Sequence, residues 1–169
     1  MNFIVAVDKN WGIGKDNKLL AYIPEDMAYF KEKTINKIVI MGRNTFESLP
    51  NKEPLKDRHN IIITSDKNYT VKNAIVVNSI ESAILYAKTL TLDENDIFFI
   101  GGARVYNECK KYCNTAYITK INNEYKADTF IENLDNDNNW KIVSTKEIES
   151  KKGITISFNI YKKNEKSVL

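Results

Sequence analysis

Residues 37–48 read KIVIMGRNTFES. An unbroken apolar run stops at Gly42, and a polar, helix-compatible segment follows from Arg43 to Ser48. A strand without polar alternation is one buried on both faces, the habit of parallel sheets covered by helices. The pattern recurs at 97–100, IFFI, which passes through Gly101-Gly102 into a helix expected over 103–112. It recurs again at 60–64, NIIIT, which ends in Thr64-Ser65. Further strands are expected at 2–8, 74–77 and 116–121, and helices at 24–35 and 79–88, the latter capped by Ser79. Residues 140–148 and 154–161 read as an antiparallel hairpin turning at Lys152-Gly153. The fold expected is α/β: a central, mostly parallel twisted sheet of about eight strands, an antiparallel C-terminal hairpin, and about four helices on both faces. Residues 11–18, WGIGKDNK, are expected to be a loop.

The chain has 169 residues, enough for one domain with a real core. Residues 1–161 are expected to form that single domain, with 162–169 a charged, solvated tail. The net charge is +3 and the lysines are scattered, which argues against a nucleic-acid partner. The N-terminus lacks a basic leader and no apolar run is long enough to span a bilayer. A cytoplasmic protein without membrane attachment is expected. No large apolar stripe stands out, which favours a monomer. Cys109 and Cys113 read as reduced residues on a helix, and His59 is the only histidine, so no metal site is expected.

In open α/β sheets, ligands bind beyond the carboxyl ends of the strands. Three such ends carry Gly42-Arg43-Asn44-Thr45, Thr64-Ser65 and Gly101-Gly102-Ala103-Arg104. Glycine admits a close ligand, and the arginines and hydroxyls suit a ligand with more than one phosphate. Neither common glycine-rich nucleotide fingerprint occurs.

Residues 23–31, IPEDMAYFK, open a helix with proline and two acids. Its apolar stripe runs Ile23, Met27, Phe30, Thr34, and Asp26 lies on that stripe. A first-turn acid is ordinarily a solvated complement to the helix dipole. An inward carboxylate instead needs a partner, and no lysine or arginine shares this face. A heterocycle offering two adjacent N–H donors would supply one. Arg58, before the NIIIT strand, is either a solvated loop cation or a fork for a carboxylate.

Five stretches in order, AVDKNWGIG (6–14), IPEDMAYFK (23–31), KIVIMGRNTFES (37–48), RHNIIITS (58–65) and IGGARVY (100–106), closely resemble the chromosomal-type dihydrofolate reductase family over nearly the whole chain. The resemblance implies NADPH-dependent reduction of dihydrofolate, and a pocket that also takes antifolate inhibitors. It implies that Asp26 holds the pterin's amino edge, buttressed by Thr119. Ile4, Ala6, Met27, Phe30, Leu49, Leu55 and Ile100 would line the substrate pocket, and Arg58 would grip the glutamyl α-carboxylate. Ala6, Ile13, Gly14, Gly42, Arg43, Asn44, Thr45, Thr64, Ser65, Gly101, Gly102, Ala103, Arg104, Val105 and Tyr106 would hold NADPH. Residues 11–17 match a mobile loop that closes over the nicotinamide.

Two departures matter. The family usually reads Leu-Pro-Trp before the acid's helix, whereas LLAYIP (19–24) places Ala21 at the tryptophan's position. Tyr22 and Trp11 are the candidates to fill the gap. Ala127 stands where the family often has glycine, beside an Asp128 that can tie its loop to residues 11–17. Two rival functions remain open here: a reductase of the same fold acting on a related pyrimidine or pterin, such as a riboflavin precursor, and a non-catalytic nucleotide-binding module.

Overall fold

The computed structural model describes residues 1–165. In chain order the strands are β1 (Asn2–Val7), β2 (Gly12–Lys15), β3 (Lys18–Leu19), β4 (Ile38–Gly42), β5 (His59–Ile63), β6 (Ile75–Val77), β7 (Ile97–Phe99), β8 (Thr115–Ile121), β9 (Thr129–Phe130), β10 (Trp140–Glu149) and β11 (Thr155–Lys163). The helices are α1 (Pro24–Thr34), α2 (Arg43–Glu47), α3 (Ile80–Leu90) and α4 (Ala103–Cys109). Eight strands form one sheet in the order β10-β11-β8-β1-β7-β4-β5-β6. Its pairs are parallel from β8 to β6, and antiparallel where β11 joins β8 and β10.

The apolar runs fill both faces, because successive side chains of a strand point to opposite sides. Ile38, Ile40, Ile97 and Phe99 pack with Ile80, Ala83 and Ala87 of α3 and Val105 and Cys109 of α4. Val39, Met41, Ile62 and Phe98 pack on the other face with Phe30 of α1 and Phe46 of α2. Along β4, residues 38–41 are at most 2% exposed, and burying each such side chain is worth about 1.5–3 kcal/mol. A charge at Met41 would break this layer. Ser79 caps α3 by accepting from the Ser82 amide at 3.0 Å. Gly153 turns the C-terminal hairpin at φ +78°, a conformation that suits glycine.

The sequence reading erred in three places. Residues 11–18 are not simply a loop. They form the β2–β3 hairpin, with Asp16 and Asn17 at φ 51° and 61°, and β2 pairs with the distant β9. The fourth helix stops at Cys109 and gives way to a 3-10 turn, Lys110–Tyr112. Strand β11 continues to Lys163, two residues into the expected tail, with the Lys163 amide on Asn114 O at 2.9 Å. Residues 166–169 of that tail lie outside the described residues. Cys109 and Cys113 are buried free thiols. Among the described residues no helix is long and apolar enough to cross a membrane.

Candidate active site

The strand order reverses around β1 and β7. The chain leaves β1 through α1 on one face and leaves β7 through α4 on the other. Their register ends at Phe3↔Phe99, and beyond it the Tyr106 hydroxyl donates to Ile4 O at 2.8 Å. This divergence is where a ligand crevice belongs in such a sheet.

Asp26 comes from the first turn of α1, which Pro24 opens and where the Asp26 and Met27 amides donate to Ile23 O. Thr119 comes from β8, opposite Ala6 of β1, and is 1% exposed. Burial pushes the Asp26 carboxyl above its ordinary value, and a hydrogen bond with the Thr119 side chain partly opposes that shift. Among the described residues no cation forms an ion pair with Asp26. The acid is half-buried and, among the described residues, is not neutralised by an ion pair. Tyr106 feels its charge, although burial is the larger cause that holds the Tyr106 phenol well above its usual value.

An apolar wall adjoins the acid. Ile4 and Ile100 are buried, and half-buried Phe30, Leu49 and Leu55 pack in the same cluster. Met27 is half-buried on α1, and Ala6 packs on the neighbouring cluster of Ile23, Ile121 and Ile156. Arg58 is half-buried, donating to Thr34 Oγ1 at 3.1 Å and Lys56 O at 2.9 Å. Among the described residues it has no carboxylate in ion-pair contact, and burial lowers its pKa. Asn60, which sequence reasoning missed, sets this loop: its amide brackets Leu55 N and O at 2.9 Å each and Arg58 O at 3.0 Å. A lone asparagine opening an apolar strand was the available signal.

The glycine edge closes from two strands. The Gly42 amide donates to Gly101 O at 2.8 Å, and the Gly101-Gly102 peptide is cis. A Cβ on Gly101 would stand 3.3 Å from Tyr106 Oη, and one on Gly102 3.4 Å from Thr45 Oγ1. Ala103 is half-buried and Val105 buried at the start of α4. Arg104 does not join them: it is 92% exposed and paired with Glu108 at 3.0 Å. At the next strand ends, Arg43 lies 4.0 Å over the Tyr69 ring and pairs with Glu47 at 3.0 Å and Asp66 at 3.4 Å. Asn44 and Ser65 are exposed, and Thr45 and Thr64 half-buried. Sequence reasoning weighed neither Glu47 nor Tyr69 as partners of Arg43.

The β2–β3 hairpin carries half-buried Ile13 and Gly14. It is stapled at both ends. Asp8 accepts from the amides of Asn10 at 2.9 Å, Gly12 at 2.8 Å and Tyr125 at 3.2 Å, and Asp128 accepts from the Asp16 amide at 3.0 Å. Two shallow concavities, of about 290 Å³ beside Arg58 and His59 and about 380 Å³ between α1 and the C-terminal hairpin, contain neither Asp26 nor the Gly101-Gly102 turn.

Comparison with known proteins agrees with this fold. The family model described as dihydrofolate reductase matches residues 1–163. A dihydrofolate reductase of Bacillus subtilis (strain 168) is 36% identical over 169 residues, covering 99% of this chain and 96% of its own. One from Buchnera aphidicola subsp. Baizongia pistaciae is 38% identical, covering 96% and 98%. The solved dihydrofolate reductase from Enterococcus faecalis, complexed with NADP(H) and RAB-propyl, superposes with a TM-score of 0.85 at 31% identity, covering 97% of this chain and 96% of that one. By this match over residues 1–163 and by its fold, the chain belongs to the dihydrofolate reductase family.

Proposed function

We propose that the chain reduces 7,8-dihydrofolate to 5,6,7,8-tetrahydrofolate, adding a hydride at C6 and a proton at N5. The observation that carries this reading is the half-buried carboxyl of Asp26, without an ion-pair partner among the described residues, backed by Thr119 and bordered by an apolar wall. Such a group is satisfied by two N–H donors of a flat heterocycle, as ionised acceptor or as partner in a charge-assisted pair. Ile4, Ala6, Met27, Phe30, Leu49, Leu55 and Ile100 enclose that ring and orient it. Arg58, held by Thr34 and Lys56, meets the substrate's glutamyl carboxylate. Antifolates with a diamino ring would use the same acid.

The residues fit NADPH, which supplies the hydride when bound. Gly101 and Gly102 leave the backbone of this edge bare for a ligand's close approach. Ala6, Ile13, Gly14, Gly42, Asn44, Thr45, Ala103, Arg104, Val105 and Tyr106 complete the proposed cofactor surface. Arg43, Thr64 and Ser65 would take the 2′-phosphate, with Arg43 exchanging the Asp66 contact for it. Asp26 polarises the substrate ring while water provides the N5 proton, and closure of the β2–β3 hairpin excludes bulk solvent. The reading includes a monomeric cytoplasmic enzyme that binds no nucleic acid. The test is consumption of NADPH absorbance on adding dihydrofolate, with kcat/KM compared for NADPH and NADH. Turnover that prefers NADPH supports the reading. No turnover overturns the function, and a preference for NADH overturns the cofactor assignment.

A further inference from the structure

The Arg43 guanidinium is held on three sides. Its Nε donates to Glu47 Oε1 at 3.0 Å, and its Nη1 reaches Asp66 Oδ2 at 3.4 Å. Its Cζ lies 4.0 Å from the centre of the Tyr69 ring. The Tyr69 hydroxyl also donates to Glu47 Oε1, at 3.1 Å. Ring and carboxylate are thus joined to each other as well as to the cation. Tyr69 is half-buried and packs on the core cluster that includes Phe46 of α2, so this holder is anchored in the fold. The contacts engage Nε and Nη1, and Nη2 donates to none of the described residues.

The two acids are not equivalent. Glu47 lies close and is bonded twice, and its carboxyl is held below its ordinary value by the hydrogen bond from Arg43 first and that from Tyr69 second, so it is charged at neutral pH. Asp66 sits at the longer distance with a side chain 47% exposed, and its other oxygen accepts from the Asn68 amide at 2.9 Å. Helix stability does not account for Glu47. An arginine at the start of α2 and an acid at its end both oppose the helix dipole. The same order recurs at the start of α4, where Arg104 pairs with Glu108 at 3.0 Å and is still 92% exposed. Spacing along a helix therefore does not by itself fix an arginine; at Arg43 the ring of Tyr69 and its bond to Glu47 do.

We propose that Glu47 and Tyr69 are positioning residues that aim the Arg43 guanidinium at a phosphomonoester, and that Asp66 is the exchangeable partner the phosphate displaces. This rests on the proposed NADPH site and says which residues set the preference for the phosphorylated dinucleotide. An arginine already fixed in its binding geometry loses less freedom when the anion arrives. The two acids on one cation then act in opposite directions. Glu47 strengthens phosphate binding although it is itself negative, because it orients the fork. Asp66 weakens it, because it competes for the same N–H groups. Charge repulsion alone gives both acids the same sign, since removing either would favour a phosphate dianion.

The experiment is calorimetric titration of the full chain with NADPH and with NADH, for wild type, Glu47→Ala, Glu47→Gln, Tyr69→Leu and Asp66→Asn, each checked by thermal unfolding. Glu47→Ala should weaken NADPH binding about three- to tenfold and leave NADH unchanged. Glu47→Gln, whose amide oxygen still accepts from Arg43 Nε, should stay within about twofold of wild type for NADPH, a rescue that separates orientation from charge. Tyr69→Leu should weaken NADPH about two- to fivefold through the lost cation–π contact, again sparing NADH. Asp66→Asn should strengthen NADPH about two- to fivefold. Glu47→Ala that binds NADPH as tightly as wild type or tighter overturns the proposal, and so does equal weakening of both dinucleotides, which would give Glu47 and Tyr69 to the fold alone. Should Glu47→Ala or Tyr69→Leu not fold, Asp66→Asn decides: unchanged or weaker NADPH binding overturns the exchange. Wild type with no preference for NADPH over NADH overturns the cofactor reading itself, and this proposal with it.

Discussion

Gly12→Ala is the sharpest test of how the hairpin is held against the rest of the molecule. A Cβ at Gly12 would lie 2.4 Å from the Ala127 methyl and 3.0 Å from Asp8 Oδ1. Unstrained carbons sit about 3.5–4.0 Å apart, so roughly 1 Å of displacement must be found. Overpacking of this kind costs about 1–3 kcal/mol. At about 2–4 °C per kcal/mol for a chain of this size, the melting temperature should fall by about 2–12 °C. Ala127→Gly removes the worst contact but leaves the Asp8 carboxylate in place, so the double variant should recover only part of the loss. Urea unfolding of wild type, both single variants and the double variant gives the coupling energy, expected at about 1–2 kcal/mol. A neutral Gly12→Ala, or a double variant equal to the sum of its singles, would refute the close packing of residue 12 on residue 127.

Other outcomes follow from the same contacts. Asp26→Asn should stabilise the unliganded chain at neutral pH. Burial raises the folded carboxyl's pKa above its unfolded value, so wild type loses stability as pH rises from the unfolded value through the folded one. The variant's advantage should therefore vanish near pH 3, where both side chains are neutral, and melting curves at the two pH values check this. Asn60→Ala leaves Leu55 N and O unpaired and should cost about 2–4 kcal/mol in urea unfolding, with a raised KM for dihydrofolate. Arg58→Ala should raise that KM by about tenfold or more with kcat little changed, since the contact is made equally in ground and transition states.

Much of this fold was legible because the strongest signals were local. The unbroken runs around Met41, Ile62 and Phe98 could only be strands buried on both faces, and Gly42 and Gly101 marked where they end. Asp26 was legible as a carboxylate out of place on an apolar stripe. What escaped were features made by distant partners. Strands β2 and β9 have four and two residues and pair because Gly12 and Gly14 meet Phe130 and Thr129 across more than a hundred residues, while the two-residue β3 is too short to show a pattern of its own. The roles of Asn60 and Asp8 depend on which amides their side chains reach, and spacing does not reveal that. Arg43 looked like a free phosphate partner until Glu47, Asp66 and Tyr69 were found around it. The gap at Ala21 was visible in sequence, but neither Tyr22 nor Trp11 fills it, because one faces solvent and the other anchors the opposite core.

The central claim is that Asp26, half-buried and without an ion-pair partner among the described residues, is completed by the substrate ring. Steady-state NADPH oxidation with dihydrofolate, compared between wild type and Asp26→Asn near neutral pH, tests it most directly. The account predicts that kcat/KM falls by at least about tenfold to hundredfold, the scale of a lost charge-assisted pair, while the variant stays folded. A folded Asp26→Asn protein that turns over dihydrofolate as fast as wild type would contradict it.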